Sequence, residues 1–314
     1  VEEIRAPIEP GYAVRAKGED AQGNGRLVHI HPWTAQVQGV TSTTTVQDVV
    51  RDLHRAMMLS ADFGIVLVGL LALPLLATLV TAFKVYKKWW RGFRRWPRPM
   101  RNAKEARRYT GDLHRLAGLW SLWFLALIGA TGLWYLAEKL GAEAPEPEGP
   151  AIAMRAPPSA RAIDAMVAHA RLRWPELAVR GLAIDAGRVT LEGQASALLV
   201  RDRANQAWFD ADTGVPRGAH DARAMSLHQR IAEAADPLHF GDWGGLSSKL
   251  LWFAFGLLLS ALSITGTLIC ALRLARPGDR IIALVRTMGL GAIASNALIL
   301  YALFGLAQRA FTSN

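Results

Sequence analysis

The chain has 314 residues, 51% hydrophobic and 20% charged, with a formal net charge of +10. Those averages would suit a soluble protein, so the distribution along the chain decides its class. Cys270 is the one cysteine, which excludes an internal disulfide, and no C-x-x-C-H occurs, which excludes covalent c-type haem.

Taken in chain order, residues 1–45 read as a fragment of a small domain. Stretches 26–31 and 36–40 alternate as strands around Pro32-Trp33-Thr34-Ala35. Residues 45–60 turn helical, with Val46, Val50, His54, Met58 and Ala61 at spacings of four and three, so His54 is expected on an apolar face. Residues 63–85 form the first run able to cross a hydrocarbon core of ~30 Å, which takes ~20 helical residues. Pro74 lies inside it, as membrane helices tolerate. Further runs of this kind lie at 116–137, 246–272 and 284–306.

Residues 84–108 carry eleven Lys or Arg and one acid, Glu105. Such excess marks cytoplasmic loops, and Arg273, Arg276, Arg280 and Arg286 agree. Lys87-Lys88-Trp89-Trp90 and Trp96 read as an interfacial anchor on anionic lipid, so nucleic acid is not an expected partner. Residues 138–249 hold thirteen basic and fifteen acidic residues and fall on the outer side. They open with a Pro, Glu and Ala linker at 142–158 and a helix at 160–173 ended by Trp174-Pro175. Strands are expected at 182–184, 188–192, 198–202 and 207–210, with turns at Asp185-Ala186-Gly187 and Asp212-Thr213-Gly214. His228 and His239 follow, just before the third apolar run.

The expected fold is a mainly α integral membrane bundle of four helices with small α+β periplasmic units. The division is 1–45 periplasmic, 46–86 periplasmic helix into membrane helix, 87–113 basic cytoplasmic loop and 114–137 membrane helix. It continues as 138–245 periplasmic, 246–272 membrane, 273–283 cytoplasmic, 284–307 membrane and 308–314 periplasmic tail. The outer placement of the first sixty residues leads to the expectation of one more membrane helix upstream of Val1.

The tetrapeptide D-L-H-R occurs twice, at 52–55 and 112–115, each copy opening a long apolar stretch. A histidine at the mouth of a membrane helix is costly unless partnered. Two of them, on opposite sides of the bilayer, point to a haem or metal path across the membrane. Haem iron accepts neutral imidazole on one or both faces. It wants histidine near helix ends, small residues beside the ring and arginine near the propionates. His54 meets this with Arg51 and Arg55, and His114 meets it with Arg115, Gly118 and Ser121. His239, followed by Gly241, Gly244 and Gly245, is expected to pair with His54 at an outer haem iron. His228 competes for that place, with Arg230 near either arrangement. His114 is the inner ligand, and its second ligand comes from the upstream helix, from Met288, or is absent. His29 and His31 alternate on a strand, where a solvated face is the better reading than a metal site. His169 and His220 receive no role, Cys270 is read as a packing residue, and Trp120, Trp123 and Trp134 as lipid-facing anchors.

Asp210-Ala211-Asp212-Thr213-Gly214-Val215 resembles the D-x-x-T-G-x-V hairpin of PepSY domains. His31-Pro32-Trp33-Thr34-Ala35-Gln36-Val37 is a degenerate first copy, with Ala35 in the usual place of glycine. With the two L-H-R helices, the Pro237-Leu238-His239-Phe240-Gly241 entry and Thr265-Gly266, nearly the whole chain resembles the PepSY-associated transmembrane family. Among its members the order of motifs is similar to the ferric-siderophore reductases of the ferrioxamine type. That resemblance implies a bacterial inner-membrane oxidoreductase with two b-type haems, a ferric siderophore as substrate and release of ferrous iron in the periplasm.

Two other functions compete. PepSY units also serve as inhibitory or partner-binding domains, so the helices could anchor a regulatory module. A transporter of iron or chelate is disfavoured because Asp62, Asp112 and Glu138 all fall at the ends of the apolar runs. No G-x-G-x-x-G is present, so electrons are expected from a quinol or a separate reductase protein.

Overall fold

The computed structural model describes residues 2–7, 11–102, 105–152, 157–185 and 187–274, and the expected fourth membrane run and Met288 lie outside them. The chain divides into two units, one built from 1–45 with 143–246, the other from 46–142 with 247 onward.

The first unit is an antiparallel sheet. Its strands are β1 (Glu3–Arg5), β2 (Val14–Glu19), β3 (Gly25–Ile30), β4 (Val37–Ser42), β5 (Ala178–Asp185), β6 (Arg188–Gln194), β7 (Asn205–Asp210) and β8 (Pro216–His220). They pair in the order β4-β3-β2-β1-β5-β6-β7-β8, so residues 1–45 are half of one sheet rather than a separate fragment. The join is β1 against β5, with Ile4 opposite Leu182. Arg5 lies opposite Gly181, which lies opposite Glu192. Arg5 Nη1 crosses above Gly181 to Glu192 at 2.6 Å. A Cβ on Gly181 would come within 3.0 Å of that guanidinium, so the glycine makes room for the ion pair.

Helix α6 (Ala160–Arg173) lies on the second half of the sheet. Ser159 caps it, accepting from Ala162 N at 3.2 Å. Ala162, Ile163, Met166, Val167 and Ala170 form its apolar stripe and meet Leu182, Val189, Leu191, Ala207 and Phe209. Met166 and Phe209 are fully buried, each stabilising the unit by about 1.5–3 kcal/mol. On the opposite face Arg188 Nη1 donates to the Gly149 carbonyl at 2.8 Å, holding the linker to β6.

The β3–β4 and β7–β8 hairpins share one geometry. His31 N donates to Gln36 O and Ala35 N to His31 O; Asp210 N donates to Val215 O and Gly214 N to Asp210 O. Asp210 Oδ1 accepts from the backbone of Asp212 and Thr213. In the first copy His31 Nδ1 does this work, accepting from Thr34 N at 3.1 Å. Gly214 has φ 70° and Ala35 has φ 56°, a conformation that is strained for alanine.

One expectation for this unit is corrected, and one helix is added to it. Residues 198–202 are not a strand: Leu199 has φ 53°, and the segment instead packs Val200 against Ala204 and Ala222. Residues 221–243 hold a helix, α7 (Leu227–Phe240), with a Ser226–Gln229 capping box and left-handed Gly241 at its end. Buried Glu233 on α7 accepts from Arg201 N and Nε, both at 3.0 Å.

The second unit is helical: α1 (Val46–Ala56), α2 (Ala61–Leu70), α3 (Ala72–Val85), α4 (Ala106–Trp120), α5 (Leu122–Ala137) and α8 (Gly245–Leu274). Two segments, Ala61–Val85 and Asp242–Ala271, are long and apolar enough to span a membrane. The α4–α5 pair adds a third if its 64° bend is taken within one crossing. The first span is broken at Leu71, three residues before Pro74, whose missing N–H and ring favour the break.

Packing follows small residues. A Cβ on Gly129 would fall 2.6 Å from Leu76, one on Gly132 3.2 Å from Ala72, and one on Gly69 2.9 Å from Leu136. These glycines let α5 approach α2 and α3 closely, the usual device where lipid gives no hydrophobic drive. Lys139 Nζ closes the end of the contact on Asp62 at 2.6 Å. Trp123 meets Trp252 and Phe255 edge-on, with Trp123 and Phe255 centroids 4.7 Å apart, and Phe124 meets Trp252 edge-on and Phe255 at a tilt of 34°. Of the tryptophans expected to face lipid, Trp123 therefore also joins α5 to α8, Trp120 meets Phe93 edge-on, and Trp134 Nε1 donates to Glu138 at 2.8 Å.

Candidate functional site

The two D-L-H-R copies do not occupy equivalent places. Asp52–Arg55 ends α1, a short helix that stops at Ala56 because Met57 and Met58 turn left-handed with φ 52° and 58°. Met58 and Ala61 therefore leave the expected face, and Val46 and Val50 on it are 82% and 60% exposed. His54 and its neighbour Arg55 are exposed, and of the apolar face expected for His54 only Val46 and Val50 share its helix. The second copy lies inside α4, not at its mouth, because the helix begins nine residues before Arg115 at Ala106. Arg107, Arg108, Asp112 and Arg115 give the start of α4 a charged character, and the apolar run begins only at Leu116.

His114 is held most closely. Its Nδ1 lies 2.9 Å from Thr265 Oγ1 on α8. A Cβ on Gly266 would sit 3.4 Å from His114 Cε1, so the absence of a side chain there lets α8 lie against the ring. One turn on, a Cβ at Gly118 would meet only Leu262, at an ordinary 3.6 Å. Arg115 is committed: Nη1 donates to Asp112 at 2.9 Å and Nη2 to the Arg95 carbonyl at 3.3 Å. Its Nε is buried without a partner among the described residues, leaving one donor for an added acceptor. Ser121, fully buried at the bend just beyond, has an Oγ in the same condition.

The other histidines divide by role. His228 and His239 share α7, eleven residues apart, which at 1.5 Å rise per residue separates them by about 16 Å. They cannot ligate one iron together, so the choice between them is a real alternative. His228 is exposed and His239 half-buried, its ring 5.4 Å from that of Phe240. His54 belongs to the helical unit and His239 to the sheet unit. Arg230 Nη2 donates to the Leu198 carbonyl at 2.8 Å, and its Nη1 is buried without a partner among the described residues. His29 bonds Thr41 at 3.0 Å and His31 supports its turn, which fits the solvated-strand reading better than a metal pair. His169 stacks edge-on to Phe209. Cys270 is exposed on α8, which corrects its reading as a packing residue.

Among the described residues no group of three or more His, Cys, Asp or Glu is gathered as for zinc. Haem iron needs only one or two protein ligands, so it sets a different requirement. His114 fits that requirement on this structure: an imidazole fixed between two helices, Gly266 against its ring, and a buried arginine donor one residue on. His54 is exposed, with Arg51 and Arg55 exposed beside it in the chain. Thr265 was not legible as a partner, although its place before Gly266 in an apolar helix is a signal: a hydroxyl and a missing side chain together are what a neighbouring ring needs.

The comparisons agree with this architecture. The chain is 26% identical over 288 residues to the uncharacterized protein PA4219 of Pseudomonas aeruginosa, covering 82% of this chain and 72% of that one. Residues 2–273, which take in both the sheet and the described membrane helices, match the family described as the PepSY-associated TM region, and the chain belongs to that family.

Proposed function

We propose that this protein is a b-type haem oxidoreductase of the bacterial inner membrane that reduces ferric siderophores on the outer side and releases ferrous iron. The observation that supports it best is His114, fixed by Thr265 between α4 and α8 with Gly266 against its ring. In this reading His114 holds the inner haem iron, Gly118 leaves room for the ring, and Arg115 offers its remaining donor to a propionate. His54 with His239, or with His228, holds the outer one beside Arg55. Haem, when bound, supplies a one-electron couple whose potential is set by axial ligand and burial.

A ferric chelate takes one electron to become ferrous. Hydroxamate-type oxygen ligands are hard and hold the smaller, more highly charged ferric ion far better, so reduction loosens the iron. Charge supports the orientation: the basic 84–108 stretch marks the inner side, which places residues 143–246 outside. The donor in this scheme is a quinol in the bilayer or a separate reductase protein. A dithionite-reduced minus oxidised spectrum, with a haem-to-protein ratio, tests the proposal. Two haems per chain are expected, and a colourless preparation from haem-replete cells overturns it.

A second reading has one observation behind it. The edge strand β4 leaves Val37 and Val40 62% and 57% exposed, and such an edge suits an added strand from a partner peptide. A membrane-anchored binding module would use that edge and need no haem.

A further inference from the structure

Thr265 sits in the middle of an apolar helix, where its hydroxyl would ordinarily satisfy itself on its own backbone. It does so here: Oγ1 donates to the Ala261 carbonyl at 2.6 Å, with the Leu262 carbonyl at 3.3 Å. A threonine hydroxyl has one proton, and that proton is already used along α8. With that proton directed at the Ala261 carbonyl, the oxygen offers a lone pair to the 2.9 Å contact with His114 Nδ1, an arrangement in which Nδ1 is the donor. A neutral imidazole with its proton on Nδ1 keeps its lone pair on Nε2.

From this chain of donors and acceptors we infer that Thr265 is a positioning residue: it locks His114 in the Nδ1–H tautomer and turns Nε2 outward as a ligand to haem iron. The inference rests on the proposed haem-binding role of His114. The chemistry is that of outer-shell partners in metal sites, where a histidine's second ring nitrogen donates to a fixed acceptor and the donated bond both orients the ring and makes the ligating nitrogen more basic. The acceptor here belongs to α8 and the ligand to α4, so the ring's position depends on the contact between the two helices. Gly266 contributes by shape: any side chain there would come up against Cε1, the ring carbon between the two nitrogens. Thr267, two residues on, bonds only the Ser263 carbonyl at 3.0 Å among the described residues and makes an internal control.

The experiment uses the full chain, purified in detergent with and without haem. Thr265→Val keeps shape and removes the acceptor, Thr265→Ser restores it, and Thr267→Val removes a hydroxyl with no histidine partner. Thr265→Val is expected to weaken haem binding about 10–100-fold and to raise the midpoint potential of one haem, as a less basic ligand should. Thr265→Ser and Thr267→Val are expected to match wild type. In haem-free protein with 15N-labelled histidine, the signal lost in His114→Ala should carry the Nδ1–H pattern, and Thr265→Val should shift it toward Nε2–H. Wild-type haem affinity and potential in Thr265→Val, or an Nε2–H pattern for His114 in the unmutated chain, overturns the inference. Failure of the underlying haem reading looks different: His114→Ala would then keep its full haem complement while the tautomer result stood.

Discussion

Asp210 shows how much one side chain can fix. Its Oδ2 takes Arg217 Nη2 at 2.6 Å, and its Oδ1 takes the N–H groups of Asp212 and Thr213 at 3.1 and 3.0 Å. The Arg217 guanidinium first, then the Thr213 N–H, hold this carboxyl down to about 2. Its ordinary unfolded value is about 3.9, so the folded state binds the proton less readily. The hairpin's contribution is therefore complete above about pH 4 and is lost as pH falls through about 2. Thermal unfolding midpoints between those values should fall with acid in wild type and fall less in Asp210→Asn, which has no charge to lose. His31 fills the same place in the first hairpin with a ring nitrogen, and there the D-x-x-T-G pattern was legible only because Thr34 and the turn length survive. The proposed haem ligands belong to this scale as well. His114→Ala should remove about one haem per chain, and His54→Ala, on a different helix, should remove another independently. His169→Ala and His220→Ala should leave haem unchanged. Retention of both haems with both D-L-H-R histidines gone would refute the ligand assignment.

Elements were legible where one physical signal dominated. Helix α6 has a serine cap, an apolar stripe and a Trp-Pro stop, and it spans the expected 160–173. The two long apolar runs that became Ala61–Val85 and Asp242–Ala271 are equally plain. Helix α7 carried its own signals, Ser226 with Gln229 and then Gly241, but its two histidines drew attention to chemistry instead of capping. The stretch 198–202 has strand-like residues that tertiary packing overrides, with Leu199 forced left-handed. The repeated D-L-H-R misled in another way, since identical tetrapeptides end one helix and lie within another. What a tetrapeptide cannot carry is the length of helix before it. Close helix contact is the clearest prediction at this level. Gly129→Val would place methyl groups where Leu76 already lies 2.6 Å from the first added carbon. Overpacking of this kind costs about 1–3 kcal/mol. The variant should unfold earlier in a denaturant or thermal series, whereas Gly256→Ala, in open space on α8, should not. Equal stability of the two would mean that α5 does not depend on that close approach.

At the scale of the molecule, two sets of strands whose nearest ends, Ser42 and Ala178, are 136 residues apart in the chain close into one eight-stranded sheet. Pairing of that range cannot be read from local periodicity; only the repeated hairpin motif hinted at it. The chain leaves the sheet after Ser42, passes through the five helices α1 to α5 and re-enters the sheet at β5, so both strand sets must lie on one side of any membrane the helices cross. Reporter fusions at Arg98 and Gly187 should accordingly read opposite sides, cytoplasmic and external, if the basic loop obeys the usual charge rule. The same two-sidedness gives the proposed reaction its kinetic form. Electrons entering near the basic loop would have to cross low-dielectric lipid, and haem sites held by His114 and His54 would divide that path. Dithionite-reduced protein should then reoxidise when ferrioxamine- or ferrichrome-like chelates are added without oxygen, and a ferrous trap should capture the iron. Iron-free chelators should leave the protein reduced, because they offer nothing to accept the electron. His54→Ala should slow the reaction strongly if that ligand holds the haem facing the chelate, while His114→Ala should spare this half-reaction and block delivery from an inner donor. Reduced protein that ignores every ferric chelate would leave the exposed edge of β4, and a partner strand upon it, as the better account of what this sheet is for.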